Sequence, residues 1–401
     1  MLPYIESKLG FLYHPILHSI RTKKAYFYRF LPATNYIDKT RKEPCLFLDI
    51  TRFYNRDEGT GIHRCVREFN KYVSMWSKYK IVYIFAKEHM GFYNCDTKEK
   101  IKIIKGDVYF HLDNIDFVSF SNRRFLKTYH KHGLKVFNFL HDLIPVRYPE
   151  TVGDRKLIRL FSNVVKEYVK YDGVIANSKF VIDDLKSYLK ENPSIKVNKK
   201  LRLEYAHLGS DFCQKESINF ANEIPEFLMV STVEPRKKYD QAVLAFTDLW
   251  DKGYKIKLNI VGRPGWLVED TIKLINNNKY LNKFLFWYNT GIPDDELCSL
   301  YQRADAVVFA SISEGYGLAL AEAASYNKPL IIRDIPVFRE LVNDTALYFT
   351  GLEPDAISNK ILEFLEMRKN KNVLLPVVKY TSWEDFTKKI LSYMDILNEK
   401  K

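Results

Sequence analysis

From residue 44 onward, short apolar runs alternate with stretches of helical periodicity, and the alternation occurs in two series of similar size. The first has strand-like runs at 44–51 (containing CLFLDI), 81–86, 108–112, 134–140 and 173–176, with helical patterns at 62–76, 122–132, 155–171 and 178–190. The second has runs at 227–231, 256–261, 284–288, 306–310 and 329–332, with helices starting at Tyr239, Val268, Asp294 and Leu318. Such alternation predicts a parallel sheet covered on both faces. Two series predict an α/β protein of two Rossmann-like, doubly wound domains facing across a cleft. A short strand at 203–207 ends the first series, and the pattern weakens between Cys213 and Pro225, where the linker is expected. The expected division is a basic, aromatic N-terminal extension (1–44), an N-terminal domain (45–215), a C-terminal domain (216–385) and a C-terminal helix (386–401) placed to cross back to the first domain.

A chain of 401 residues suits two such domains. Its net charge of +13 favours anionic partners: nucleic acid, an anionic membrane surface or phosphorylated substrates. No run approaches 18 uncharged apolar residues, so no membrane span is expected. The N-terminal apolar stretch is interrupted by His14, Pro15, His18, Arg21, Lys23 and Lys24, unlike a secretory signal. The five cysteines are scattered, with no Cys-x-x-Cys. Neither a disulfide framework nor a zinc site is expected, which implies a reducing, cytoplasmic setting.

Residues 311–329 read SISEGYGLALAEAASYNKP. A strand ends at Ala310, a glycine turn follows and a helix begins near Leu318, the place where open α/β sheets bind ligands. Gly315 and Gly317 allow a tight turn and close approach. The N–H groups of Gly317, Leu318 and Ala319 would meet an anion, helped by the helix dipole. Glu314 and Glu322 beside a phosphate site need a reason, because like charges repel. The simplest is that Glu322 accepts from a ribose hydroxyl pair and Glu314 from hydroxyls of a transferred hexose. The plain alternative, a loop charge and a solvated helix residue, would serve for an isolated pair; the strand–turn–helix setting favours the site.

Here the sequence resembles the GT4 family of retaining glycosyltransferases, whose signature is two Glu separated by seven residues around a glycine turn. The resemblance runs from about residue 46 to 390 through five motifs in the family's order. GTGIHRCVREF resembles the N-terminal glycine turn and puts Gly59 and Gly61 on the diphosphate; HDLIPVRYPE resembles the active-site strand end carrying His141 and Asp142. STVEPRKKYDQAV resembles the phosphate-binding segment with Arg236 and Lys237. VGRPGW supplies Gly262 and Arg263, and GIPDDELCSLYQRADAVVFAS supplies Ile292 near the base. The resemblance implies a GT-B fold, catalytic roles for His141, Glu314, Arg236 and Lys237, and front-face retention, with the departing phosphate taking the acceptor's proton.

No Asp-x-Asp occurs anywhere in the chain, so fixed positive charge from Arg236 and Lys237 is expected to replace a metal on the diphosphate. No metal ligand and no cofactor is assigned. The sequence makes three departures from the family pattern: Val230, Ser231 and Thr232 where many relatives carry an Arg, His63 in place of a small Gly, and Ala310 and Asn327 in place of Pro and Gly. A dehydrogenase would need Gly-x-Gly-x-x-Gly after the first strand, and a nucleic-acid binder a recognisable module; neither is present. The resemblance is nearest to bacterial mannosyltransferase-like enzymes of surface-polysaccharide synthesis. It implies GDP-mannose as donor, or else a dTDP- or UDP-sugar, and a glycan or lipid-linked glycan acceptor. Peripheral attachment to the cytoplasmic face of the inner membrane is expected through two basic-aromatic segments. One runs from Phe11 to Leu31; the other, at 122–132, sets Arg123, Arg124, Lys127 and Lys131 beside Phe125, Leu126 and Tyr129.

Overall fold

The computed structural model describes residues 36–399 apart from 56, 58, 114–116, 212–221, 379 and 380. The segment from Phe11 to Leu31 and most of the expected linker lie outside the described residues. Seven strands form the first sheet: β1 (Cys45–Asp49), β2 (Lys80–Lys87), β3 (Gly91–Asn94), β4 (Val108–His111), β5 (Lys135–Leu140), β6 (Gly173–Ala176) and β7 (Arg202–Tyr205). Six form the second: β8 (Glu226–Val230), β9 (Lys257–Val261), β10 (Leu285–Tyr288), β11 (Ala306–Phe309), β12 (Leu330–Arg333) and β13 (Leu347–Phe349).

The first sheet is ordered β3-β2-β1-β4-β5-β6-β7 and the second β10-β9-β8-β11-β12-β13. All pairings are parallel except β2 with β3. In both sheets the chain starts centrally, moves outward one way, then returns to build the other side. That reversal leaves a crevice beyond the carboxyl ends of β1 and β4, and another beyond β8 and β11. All residues of β1, β4, β6, β11 and β12 are buried, as continuous apolar runs require when helices cover both faces.

Helix α1 (Gly61–Trp76) starts where the Thr60 side chain accepts from the His63 N–H at 3.3 Å, and it buries the stripe Cys65, Val66, Phe69 and Val73. The other helices that matter for the site are α2 (Arg123–Lys131), α3 (Lys179–Glu191), α4 (Tyr239–Asp251), α5 (Asp294–Arg303), α6 (Leu318–Ser325), α7 (Pro336–Val342) and α8 (Trp383–Tyr393). Helix α8 returns to the first sheet, where the Phe386 ring lies 6.3 Å from Phe69 and 5.9 Å from Phe139. One apolar core therefore runs from Leu46 and Phe110 of the first sheet through Phe386 to Leu228 and Phe309 of the second.

Several elements differ from expectation. Strands β3 and β13, of four and three residues, were not foreseen. The 122–132 helix was expected to offer aromatic rings to a membrane. Instead Leu126 and Tyr129 of α2 are buried, and Phe125 and Tyr129 stand edge-on to Tyr36 at 5.6 and 5.7 Å. Only Arg124, Lys127 and Lys131 are exposed among the seven residues named for it. Cys45, Cys65 and Cys95 are free, but Cys298 is disulfide-bonded, which distance along the chain did not suggest. Among the described residues no helix is long and apolar enough to cross a membrane.

Candidate active site

The crevice at β8 and β11 gathers the charged residues. After β8, Pro235 opens a single 3-10 turn, Pro235–Lys237, whose fixed φ suits that position. The turn is pinned to the opposite loop by the Ile312 N–H, which donates to the Arg236 carbonyl at 2.9 Å. Arg236 Nη1 then donates to the Ser313 carbonyl at 3.0 Å and to Glu314 Oε2 at 2.9 Å. Lys237 Nζ donates to Glu314 Oε1, and Arg236 Nε lies 2.9 Å from Glu234 Oε2. Each side chain of this cluster is at most 17% exposed, so the charges act on one another with little screening by water.

Burial alone would raise the Glu314 carboxyl, but Lys237 and Arg236 outweigh it and hold its pKa down to about 2. Lys237 is lowered from the usual lysine range by burial and by the adjacent Arg236, against the pull of Glu314. Glu314 and Glu234 pull the other way on Lys237, but burial and Arg236 together outweigh them. Burial also raises Asp142, opposed by Arg236.

Gly315 brings the two domains together. A Cβ built on it would lie 2.0 Å from the His141 carbonyl oxygen and 3.0 Å from Asp142 Cβ, so the turn after β11 fits against the end of β5 only as glycine. Ser178 Oγ donates to the Gly315 carbonyl at 2.6 Å, and Asn177 Nδ2 to the His141 carbonyl at 2.8 Å. Gly317 has φ +95° and opens α6. The N–H groups of Leu318 and Ala319 sit in the first turn, where no intrahelical acceptor exists.

His141 Nε2 lies 2.9 Å from the Leu112 carbonyl. A carbonyl only accepts, so Nε2 carries the proton and Nδ1 is the acceptor. Burial pushes this imidazole down to about 4, which makes it neutral at pH 7. His63, the unusual residue of the glycine turn, is buried with Nδ1 3.4 Å from Asp57 and Nε2 3.6 Å from Asp113.

The remaining expected donor-binding residues follow β9 and β10, stand at the start of α1 or, in the case of Glu322, lie on α6. Gly262 and Arg263 follow β9, and Arg263 Nε donates to the Thr290 carbonyl at 2.9 Å after β10. Ile292 packs half-buried on the core. Gly59 has φ +65° and open space around it, and α1 meets α6 at Gly61, where a Cβ would stand 3.6 Å from Leu318 Cδ2. Glu322 is buried and paired: Arg64 Nη1 donates to Oε1 at 2.5 Å and the Tyr301 hydroxyl to Oε2 at 3.2 Å. Sequence reading missed Arg64. Its only signal was a place in the GTGIHR turn, one helical turn after Gly61.

Two Rossmann-like domains whose strand ends face one another across such a cleft define the GT-B architecture. The sucrose-phosphate synthase of Thermosynechococcus elongatus shares it, with a TM-score of 0.61 over 88% of this chain and 94% of its own at 15% identity. Residues 212–374 match the family model described as Glycosyl transferases group 1. Over 273 residues it is 33% identical to the serotype-specific mannosyltransferase WbdA of Escherichia coli, covering 64% of this chain and 33% of WbdA. It is 27% identical over 237 residues to the O-antigen chain mannosyltransferase RfbU of Salmonella typhimurium, covering 58% of this chain and 62% of RfbU. The chain thus spans about a third of WbdA's length.

Proposed function

We propose that this chain is a retaining, metal-independent mannosyltransferase that moves mannose from GDP-mannose to a glycan or lipid-linked glycan in surface-polysaccharide synthesis. The observation that carries the reading is the Glu314–Arg236–Lys237 cluster at the β8–β11 crevice, in a chain similar to a serotype-specific mannosyltransferase and an O-antigen chain mannosyltransferase. In the proposed reaction the bond from the anomeric carbon to the diphosphate oxygen breaks and one to the acceptor hydroxyl forms. The acceptor's proton passes to the departing phosphate oxygen. Arg236, Lys237 and the first-turn N–H groups of α6 stabilise the charge that develops there, and preorganised donors of this kind contribute most when they need not reorient. Glu314 and the His141 Nδ1 accept from hydroxyls of the sugar, and Glu322 accepts from the ribose.

Incubation with GDP-mannose and with dTDP- and UDP-sugars, read as released nucleotide, tests the activity and the donor. GDP-mannose is expected to turn over, and to do so equally in excess EDTA. Release from a UDP- or dTDP-sugar alone would replace the donor; loss in EDTA with recovery on Mg²⁺ or Mn²⁺ would overturn the role of the cations.

A lipid-linked acceptor brings the enzyme to a membrane surface. The exposed basic residues of α2, Arg124, Lys127 and Lys131, would supply salt-sensitive attachment worth roughly 1 kcal/mol each. Sedimentation with anionic vesicles at low salt and release at high salt are the expected results. Equal recovery in the supernatant with anionic and neutral vesicles would refute attachment.

A further inference from the structure

The first turns of α1 and α6 lie side by side across the cleft and in step. Gly61 faces Leu318, and one turn further Arg64 faces Glu322. Arg64 also donates through Nη2 to Asp294 Oδ1 at 3.1 Å, at the start of α5. Arg64 is the only one of these charged groups that comes from the N-terminal domain. Its guanidinium takes Glu322 Oε1, and the Tyr301 hydroxyl takes Oε2. Each oxygen already holds a donor and the Glu322 side chain is only 5% exposed, so a ribose hydroxyl pair can reach the carboxylate only when one partner moves aside. Tyr301 belongs to the same domain as Glu322, is fully buried and stacks on Tyr326 with ring centroids 5.1 Å apart. Arg64 is a partly exposed side chain from across the cleft, and it is the partner that can withdraw.

We propose that Arg64 is a latch on the nucleoside subsite: in the nucleotide-free enzyme it holds Glu322 and closes α1 against α6, and the donor's ribose displaces it. The inference rests on the reading of Glu322 as the ribose carboxylate. The consequence runs against the ordinary expectation for an arginine near a phosphate site. Nucleotide binding must break a charge-assisted pair before the ribose can bond, so part of the binding free energy is spent on opening. Removing the guanidinium removes that competition, and the nucleotide binds more tightly. An arginine that merely stabilised the fold, or that held the diphosphate, would give unchanged or weaker binding.

Calorimetric titration of the full chain with GDP, and with UDP in parallel, distinguishes these cases. Arg64→Ala is expected to bind the preferred nucleotide about tenfold more tightly than the unaltered protein, within the usual range of coupling between sites. Asp294→Ala is expected to shift affinity the same way by less, and this 72% exposed side chain keeps the test sound should Arg64→Ala fail to fold. If the unaltered protein binds a nucleotide and neither variant binds it more tightly, the latch is wrong and the nucleotide site stands. If neither nucleotide binds the unaltered protein or the variants, the reading of the site falls and the latch with it.

Discussion

Replacing Glu314 by Gln is expected to lower turnover by at least about 10²-fold while making the ligand-free protein markedly less stable. The carboxylate is the anion that Arg236 and Lys237 share, and the cluster is buried. Without it two desolvated cations face each other, and breaking a buried pair from one side typically costs about 3–5 kcal/mol. The same loss should leave the cluster hungry for a diphosphate, so GDP should raise the melting temperature of the variant by more than that of the unaltered protein. The pH dependence has a defined sign. The folded pKa of Glu314 is depressed to about 2 from an ordinary value of 4.5. Its stabilisation is therefore complete above about pH 4.5 and is lost as pH falls toward 2. The Gln variant should lack that part of the acid dependence. Turnover within a few-fold of the unaltered protein would exclude Glu314 from the reaction.

The elements that were legible in the sequence are those whose cause is local. CLFLDI reads as a buried strand because both faces are covered, and Gly317 reads as the start of α6 because a tight turn there needs glycine. The charged residues after β8 and β11 could be expected at one crevice because the resemblance to the GT4 family implies it. What stayed hidden depends on partners far along the chain. Arg64 and Glu322 are 258 residues apart, and nothing near either one indicates the pairing. The aromatic side of α2 gives the same pattern whether it meets lipid or core, and Tyr36, in the stretch read as an extension, decides for core. Glu340 of α7 accepts from the N–H groups of Lys179 and Phe180 at the start of α3, both at 2.8 Å, and from His207 at 2.6 Å. That interdomain contact, too, has no local signature. The cluster's charge balance was also beyond reach, since motif spacing puts Glu314 near two cations without showing that it is bonded to both.

Lys237→Ala is expected to reduce turnover by about 10²–10³-fold with little effect on the acceptor's Michaelis constant. The argument is one of fixed geometry. The ammonium sits after β8 at the point where strand order reverses, and Glu314 and the pinned 3-10 turn hold it in place. Charge that appears on the departing diphosphate therefore meets a cation that does not have to move, in surroundings where water screens little. The charged form does this work, so activity must fall as pH rises through the Lys237 pKa. Burial and Arg236 lower that pKa from 10.5, and the alkaline limb should start below the usual lysine range. Lys237→Arg keeps the charge at every working pH and should abolish that limb. Its planar fork does not reproduce a point charge, however, and turnover at neutral pH should stay below that of the unaltered protein. Steady-state rates of nucleotide release across pH 6–11 for the three proteins decide the matter. An alkaline limb unchanged in Lys237→Arg, or a loss in Lys237→Ala confined to the acceptor's Michaelis constant, would remove Lys237 from the leaving group and leave Arg236 and the α6 N-terminus to stabilise it.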